Sequence, residues 1–227
     1  MKTSPFCAVV LLTVAFASIL STQQATAEET VLVDSTYEHG NGSFEFDDSG
    51  EALTDKGQPG AWVGAGELTI DGTDTIAATT RVTATKTVAS DGSFSLQVRP
   101  NPAERSPAGG ILDTGYALKQ GDQLNLTFDW QKTDNFVGGA KFDVFVFTSS
   151  DDSLDGTLTS IASKTFAMGP PQKEFESASF APGDFTITDA NVGKKIYLSF
   201  SAGGYTRASN SSRFNIDNIR FTAESSP

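Results

Sequence analysis

The chain has 227 residues, with 28 Asp and Glu against 16 Lys and Arg for a formal net charge of −12, one His and one Cys. Such an anionic balance excludes nucleic acid as a partner, because phosphate binding needs clustered cations that release counterions. A single Cys excludes an intrachain disulfide framework, so core burial, hydrogen bonding and a metal are left as the sources of stability.

Residues 1–27 read as an export signal: Lys2 supplies the positive start, Phe6 to Leu20 the apolar stretch, and Ala25, Thr26 and Ala27 the small residues before a cut. Cleavage is predicted after Ala27. The apolar part is short for a bilayer core of about 30 Å, and the polar run STQQ follows it at once, so no membrane insertion is expected. Cys7 precedes the apolar stretch, unlike a lipid-anchor cysteine, and leaves with the signal. The product is expected in the periplasm or outside the cell. Residues 28–223 form one expected domain, followed by a short tail, 224–227. The 17 Phe are enough to fill one core, and no repeat of about 20 to 50 residues suggests a solenoid or propeller.

Strands show themselves where apolar and polar residues alternate, because successive side chains point to opposite faces of a sheet. Weak candidates are 30–34, 67–70 and 76–87. In SFSLQVR, Phe94, Leu96 and Val98 share a face. In QLNLTFDWQ, Leu124, Leu126, Phe128 and Trp130 do so, while Asn125, Thr127, Asp129 and Gln131 face outward. KFDVFVF differs: Phe142, Val144 and Val146 fill one face and Phe145 and Phe147 the other, as in a central strand covered on both sides. Further weak candidates are 161–166 and 174–180. In KKIYLSF, Ile196, Leu198 and Phe200 point inward and Tyr197 and Ser199 outward. Turn chemistry at 90–92, 119–122, 182–184 and 191–195 separates these runs. Eight to ten strands without helices predict an all-β, two-sheet antiparallel sandwich of jelly-roll type.

The last predicted strand carries a phase slip. Phe214 and Ile216 hold one phase, Ile219 and Phe221 the other, which implies a β-bulge at Asp217 and Asn218. An aspartate there needs a partner: backbone amides of the bulge or a cation.

FNIDNIRFTA resembles the closing strand of galactose-binding-like and family 4/9-type carbohydrate-binding modules. The opening, VLVDSTYEHGNGSFEFDDSG followed by QPGAW with Trp62, is similar to the start of those modules, and YALKQGDQLNLTFDW to their middle. Together these segments bracket nearly all of the chain after the signal. The resemblance implies a galactose-binding-domain-like jelly roll that binds a polysaccharide or glycan without bond chemistry. It also implies a structural Ca2+ tying the first strand to the last, with Glu45 and Asp217 at the ligand positions. Calcium takes six to eight oxygens, and Asp34, Asp47 and Asp48 are further carboxylates within reach in sequence.

Catalytic signatures are sparse. The lone His39 sits in the glycine-flanked loop YEHGNG, there is no GxSxG elbow and no HExxH, so serine and zinc peptidase schemes lack their groups. YLSFSAGGYTR is similar to the strand carrying the catalytic Tyr of jelly-roll alginate lyases, which makes Tyr205 the residue of a lyase or hydrolase alternative. The companion RxELR and QxH strands are missing. A third reading is a structural or adhesive extracellular protein with no sugar site.

Sugar binding by a sandwich needs exposed aromatic faces on which a pyranose stacks, and planar polar groups for its hydroxyls. Trp62 follows a Pro-Gly turn and is either such a platform or a plug closing one end of the sandwich. Trp130 keeps phase with Leu126 and Phe128 and belongs to the core. Tyr197 is expected on an outer face, and Tyr205 and Arg207 follow the Gly203, Gly204 turn. The outward set Gln97, Arg99, Asn125, Asp129, Gln131, Tyr197 and Asn215 lines one concave face, on condition that its strands share a sheet. The expected ligand-binding residues are therefore Trp62, Gln97, Arg99, Asp129, Tyr197, Tyr205, Arg207 and Asn215.

Overall fold

The computed structural model describes residues 27–64, 66–78, 82–86, 88–98, 108–133, 141–167, 170–202 and 214–225. Among the described residues thirteen strands follow one another: β1 (Glu28–Val33), β2 (Trp62–Val63), β3 (Gly66–Ile70), β4 (Asp74–Ala78), β5 (Ala84–Thr85), β6 (Ser95–Val98), β7 (Ala108–Ala117), β8 (Gln123–Lys132), β9 (Lys141–Ser149), β10 (Leu158–Ala167), β11 (Glu176–Phe180), β12 (Lys195–Ala202) and β13 (Phe214–Ser225). The one helical turn among the described residues is a 3-10 turn at Pro182–Asp184. No helix there is long and apolar enough to cross a membrane.

The strands form two sheets. One runs β11-β8-β13-β6-β5, with β1 also on β13; the other runs β2-β7-β12-β9-β10-β3-β4. Among the described residues, pairing is antiparallel except for a parallel bridge, Leu158 to Ile70, between β10 and β3. This is a jelly-roll sandwich. Its first and last strands are neighbours, Glu28 opposite Ser225 and Thr30 opposite Ala223. β7 was absent from the expected strands, and the expected run 76–87 is divided between β4 and β5.

Between the sheets, Leu124, Leu126, Phe128 and Trp130 of β8 meet Phe142, Val144 and Val146 of β9 and Leu198 and Phe200 of β12, with Phe214, Ile216, Ile219 and Phe221 of β13. Each such side chain contributes about 1.5 to 3 kcal/mol on burial. The sequence-based phases of β8, β9 and β12 hold throughout.

A second apolar cluster lies on the opposite face of the seven-stranded sheet. It joins Phe145 and Phe147 of β9, Tyr197 of β12, Ile111 of β7 and Leu158 of β10 to Ile70 of β3, with Leu68 and Leu154 packed against them. The β3–β4 hairpin and the connection 150–157 supply this cover, and β4 lies against β7 and β12. β9 is thus covered on both sides, as its two-faced Phe and Val pattern predicts.

Candidate functional site

The polar outer face of the six-stranded sheet is built by β6, β8 and β13. Their pairing sets Asn215 opposite Gln97 on one side and opposite Gln131 on the other. The three amide side chains therefore form one row across three adjacent strands. Gln97, Asn125, Asp129, Gln131 and Asn215 lie on strands that share this sheet, as a common face requires. Tyr197 belongs to the other sheet.

The row is buried at its centre: Asn215 is 0% exposed and Gln131 5%. Two segments fold against this face. Residue 172 pairs with the end of β8, its N–H donating to Lys132 O (3.0 Å) while its side-chain Oε1 accepts from Lys132 N–H (2.7 Å). Ser95 Oγ donates to Val88 O (2.6 Å), fixing the start of the other segment. A cavity of about 410 Å³ opens between them, lined by Val88, Ala89 and Ser90, by Lys173, Glu174 and Phe175, and by Gln131 from the sheet.

The donors near this row are committed. Gln131 Nε2 donates to Gln172 O (3.3 Å) and Asn215 Nδ2 to Thr133 Oγ1 (3.5 Å). Among the described residues the buried carbonyl oxygens Gln131 Oε1 and Asn215 Oδ1 have no hydrogen-bond partner. An orphaned buried acceptor costs about 1 to 3 kcal/mol; Gln131 lines the cavity, and Asn215 lies beside it in the row.

Further along the same face, Asp129 is already engaged. Its Oδ1 accepts from Ser177 Oγ (2.6 Å) and its Oδ2 from Asn218 Nδ2 (3.1 Å). These bonds tie β11, β8 and β13 together, a positioning task for a residue expected to touch ligand.

The bulge is present, as a register shift between Asp217 and Arg220 against β8, with Asn218 at φ 48°. Asp217 finds its partners in the connection before β6. Its Oδ2 accepts from Ser90 N–H (2.6 Å), Ser90 Oγ (3.2 Å) and Asp91 N–H (3.0 Å), and its Oδ1 from Asn218 N–H (2.8 Å). Glu45 takes the other end of the same loop, its Oε1 accepting from Ser93 N–H (2.6 Å) and Phe94 N–H (2.7 Å). Gly92 sits between them at φ +62°, where an added Cβ would lie 2.4 Å from Glu45 Oε1. Gly42 brings the Glu45 segment against the bulge: Ile219 N–H donates to Gly42 O (3.1 Å), and a Cβ on Gly42 would lie 2.4 Å from Ile219 O. Burial pushes the Asp217 carboxyl up to about 6, against the opposing pull of the N–H groups of Asp91, Ser90 and Asn218.

Glu45 and Asp217 thus converge on one loop, 90–94, by way of amide hydrogens. For calcium they supply oxygens of the right kind and too few of them. Among the described residues no group of three or more His, Cys, Asp or Glu side chains is placed to hold a metal, so backbone carbonyls would have to complete the six to eight oxygens.

Two expected site residues are corrected. Trp62 is no platform: it is 0% exposed, packs on Phe44 (5.3 Å between ring centroids) and Phe200 (5.9 Å), and donates from Nε1 to Gly40 O (2.9 Å). It is the plug of the sandwich, because β2 sets Trp62 opposite Leu112 at the edge of the seven-stranded sheet. Tyr197 points to the outer face, as its phase requires, yet is only 2% exposed, stacked on Phe147 (5.4 Å) under the second apolar layer. Its hydroxyl donates to Asp152 O (2.8 Å), and burial followed by the nearby Asp113, Asp152 and Asp151 pushes it up to about 12. Neither ring offers a face to a sugar. Gln97 is half-buried at the end of the amide row. Arg99, Tyr205 and Arg207 lie outside the described residues.

No protein-family model matches this sequence, and no curated protein does. Among solved structures, the Stig cyclase Fisc from Fischerella sp. TAU, in complex with (3Z)-3-(1-methyl-2-pyrrolidinylidene)-3H-indole, is similar with a TM-score of 0.56 at 16% identity, over 88% of this chain and 100% of that one. The CBM22-1 xylan-binding domain of Paenibacillus barcinonensis Xyn10C gives 0.48 at 14% identity, over 89% and 100%. A non-crystalline cellulose specific carbohydrate-binding module, CBM28, gives 0.45 at 18% identity, over 76% and 94%. The likeness to the cyclase is one of fold.

Proposed function

We propose that this chain is a secreted, non-catalytic carbohydrate-binding-type module that takes a polysaccharide on the polar outer face of its six-stranded sheet. The observation that carries this reading is the amide row beside a cavity, in which Gln131 Oε1 and Asn215 Oδ1 lack donors. Sugar hydroxyls supply donors in closely spaced pairs, and planar amides on rigid strands are the groups that orient them. Phe175, half-buried in the cavity lining, offers apolar surface beside those acceptors. The resemblance of the opening and closing segments to family 4/9-type modules points the same way, as does a fold that accommodates ligands in other proteins. Secretion rests on residues 1–27 and calcium on Glu45 and Asp217; both belong to the proposal.

Affinity electrophoresis in gels containing soluble xylan, hydroxyethylcellulose, galactomannan or polygalacturonate tests it. At least one neutral polymer is expected to retard the protein. Asn215→Leu and Gln131→Leu are expected to weaken that retardation at least tenfold, whereas Trp62→Phe and Tyr197→Phe leave it unchanged. A protein that runs unretarded in every gel is the structural or adhesive alternative; one that releases sugar products, and loses that release in Tyr205→Phe, is an enzyme.

A further inference from the structure

The cavity has one lining segment whose position is set elsewhere in the molecule. Val88, Ala89 and Ser90 line it, and Ser90 is also the first residue of the loop gripped by Asp217 and Glu45. Asp217 binds both the N–H and the hydroxyl of Ser90, so the wall residue and the bulge carboxylate form one unit. Asp217 is also two residues along β13 from Asn215, and alternate residues of a strand point to the same face. Glu45 adds a second hold, on Ser93 and Phe94, from the segment that follows β1.

We infer that Asp217 and Glu45 are positioning residues for ligand binding: by fixing loop 90–94 they hold the 88–90 wall of the cavity beside Gln131 and Asn215, so occupation of the cavity and closure of the chain ends are coupled. The inference rests on the cavity being the binding site named above. Neither carboxylate is among the residues lining the cavity, so their effect on affinity is transmitted by the loop. Coupling of this kind is reciprocal: whatever tightens the loop raises affinity, and ligand in the cavity protects the loop.

Two variants approach the contact from opposite sides. Asp217→Asn removes the carboxylate that holds Ser90 and Asp91. Gly92→Ala drives a Cβ against Glu45 Oε1 and leaves both carboxylates in place. Phe147→Leu, in the outer layer of the other sheet, serves as a control that lowers stability without touching the loop. Each is measured at least 20 °C below its own melting temperature, by retardation in xylan and hydroxyethylcellulose gels and by NMR of the Gln131 and Asn215 side-chain amides. Both loop variants are expected to lose at least tenfold in affinity and to shift those two amide signals, while Phe147→Leu keeps affinity and signals. Folded Asp217→Asn and Gly92→Ala proteins that bind as the wild type does, with unmoved amide signals, overturn the inference and leave the binding function standing. A wild type that no gel retards overturns the binding function; moved amide signals in the two loop variants then still support the loop's role in placing the wall, and unmoved signals overturn that too.

Discussion

Asp217 illustrates how much a single side chain in this fold is asked to do. It sits at 0% exposure, accepts four hydrogen bonds and still titrates near 6, because removal from water outweighs the amide donors. An unfolded aspartate titrates near 3.8, so the native state holds this proton more tightly than the unfolded chain does. Its contribution to stability is therefore largest in acid, falls as pH rises from about 4 to about 6, and is level above that. Asp184, held below the ordinary range by Lys164, and Asp47, held there by Ser49, act with the opposite sign and lose their contribution below about pH 4. Urea unfolding across pH 4 to 7 in EDTA is expected to show a decline in midpoint between pH 4 and 6 that disappears in Asp217→Asn. A wild-type midpoint that rises through that window contradicts the assignment.

At the scale of elements, the bulge in β13 is what turns Asp217 toward loop 90–94 while keeping Ile219 and Phe221 in the core. Asn218 makes this possible, with a left-handed backbone that Asn tolerates and β-branched residues resist. Asn218→Val should cost about 1 to 2 kcal/mol of backbone strain and about 1 kcal/mol for the lost bond to Asp129. Asn218→Gly should lose only the latter. Urea midpoints in the order wild type, Gly, Val check this, and a Val variant as stable as the Gly variant would remove backbone strain from the account. The slip of phase that betrays this bulge is legible in the sequence, as are β8, β9 and β12, because alternation is a local property. β7 is not: AGGILDTGYA carries three glycines and an aspartate, and its strand character comes from being paired between β2 and β12. The amide row was legible in part, since phase assigns Gln97, Gln131 and Asn215 outward. What phase cannot tell is what lies over a face. Tyr197 and Ser199 point outward as read and are nevertheless buried, because the covering segments 66–70 and 150–157 are remote in sequence. Trp62 was undecidable for a related reason: a Pro-Gly turn fixes where the chain bends and leaves the direction of the next ring to tertiary packing.

For the molecule as a whole, the first and last strands are held together by non-covalent contacts. β1 lies on the last half of β13, the Glu45 segment lies on its bulge, and no disulfide can assist, since the sequence has one cysteine. An ion bound only in the folded state and present at a hundredfold its dissociation constant adds about 2.7 kcal/mol. For about 200 residues this corresponds to roughly 5 to 10 °C in melting temperature. Calorimetry should show a fall of that size on EDTA treatment and its recovery with CaCl2. A melting temperature indifferent to both would leave the amide bonds of loop 90–94, the β1–β13 pairing and the Gly42–Ile219 contact as the fastening.

The apolar cover on the seven-stranded sheet has a further meaning. A sandwich whose two outer surfaces were equally open would give an approaching polymer a choice of sides; here one side is upholstered with phenylalanine, isoleucine and leucine under the β3–β4 flap, while the opposite side carries the amide row and the cavity between segments 88–90 and 173–175. The domain is consequently handed toward its surroundings.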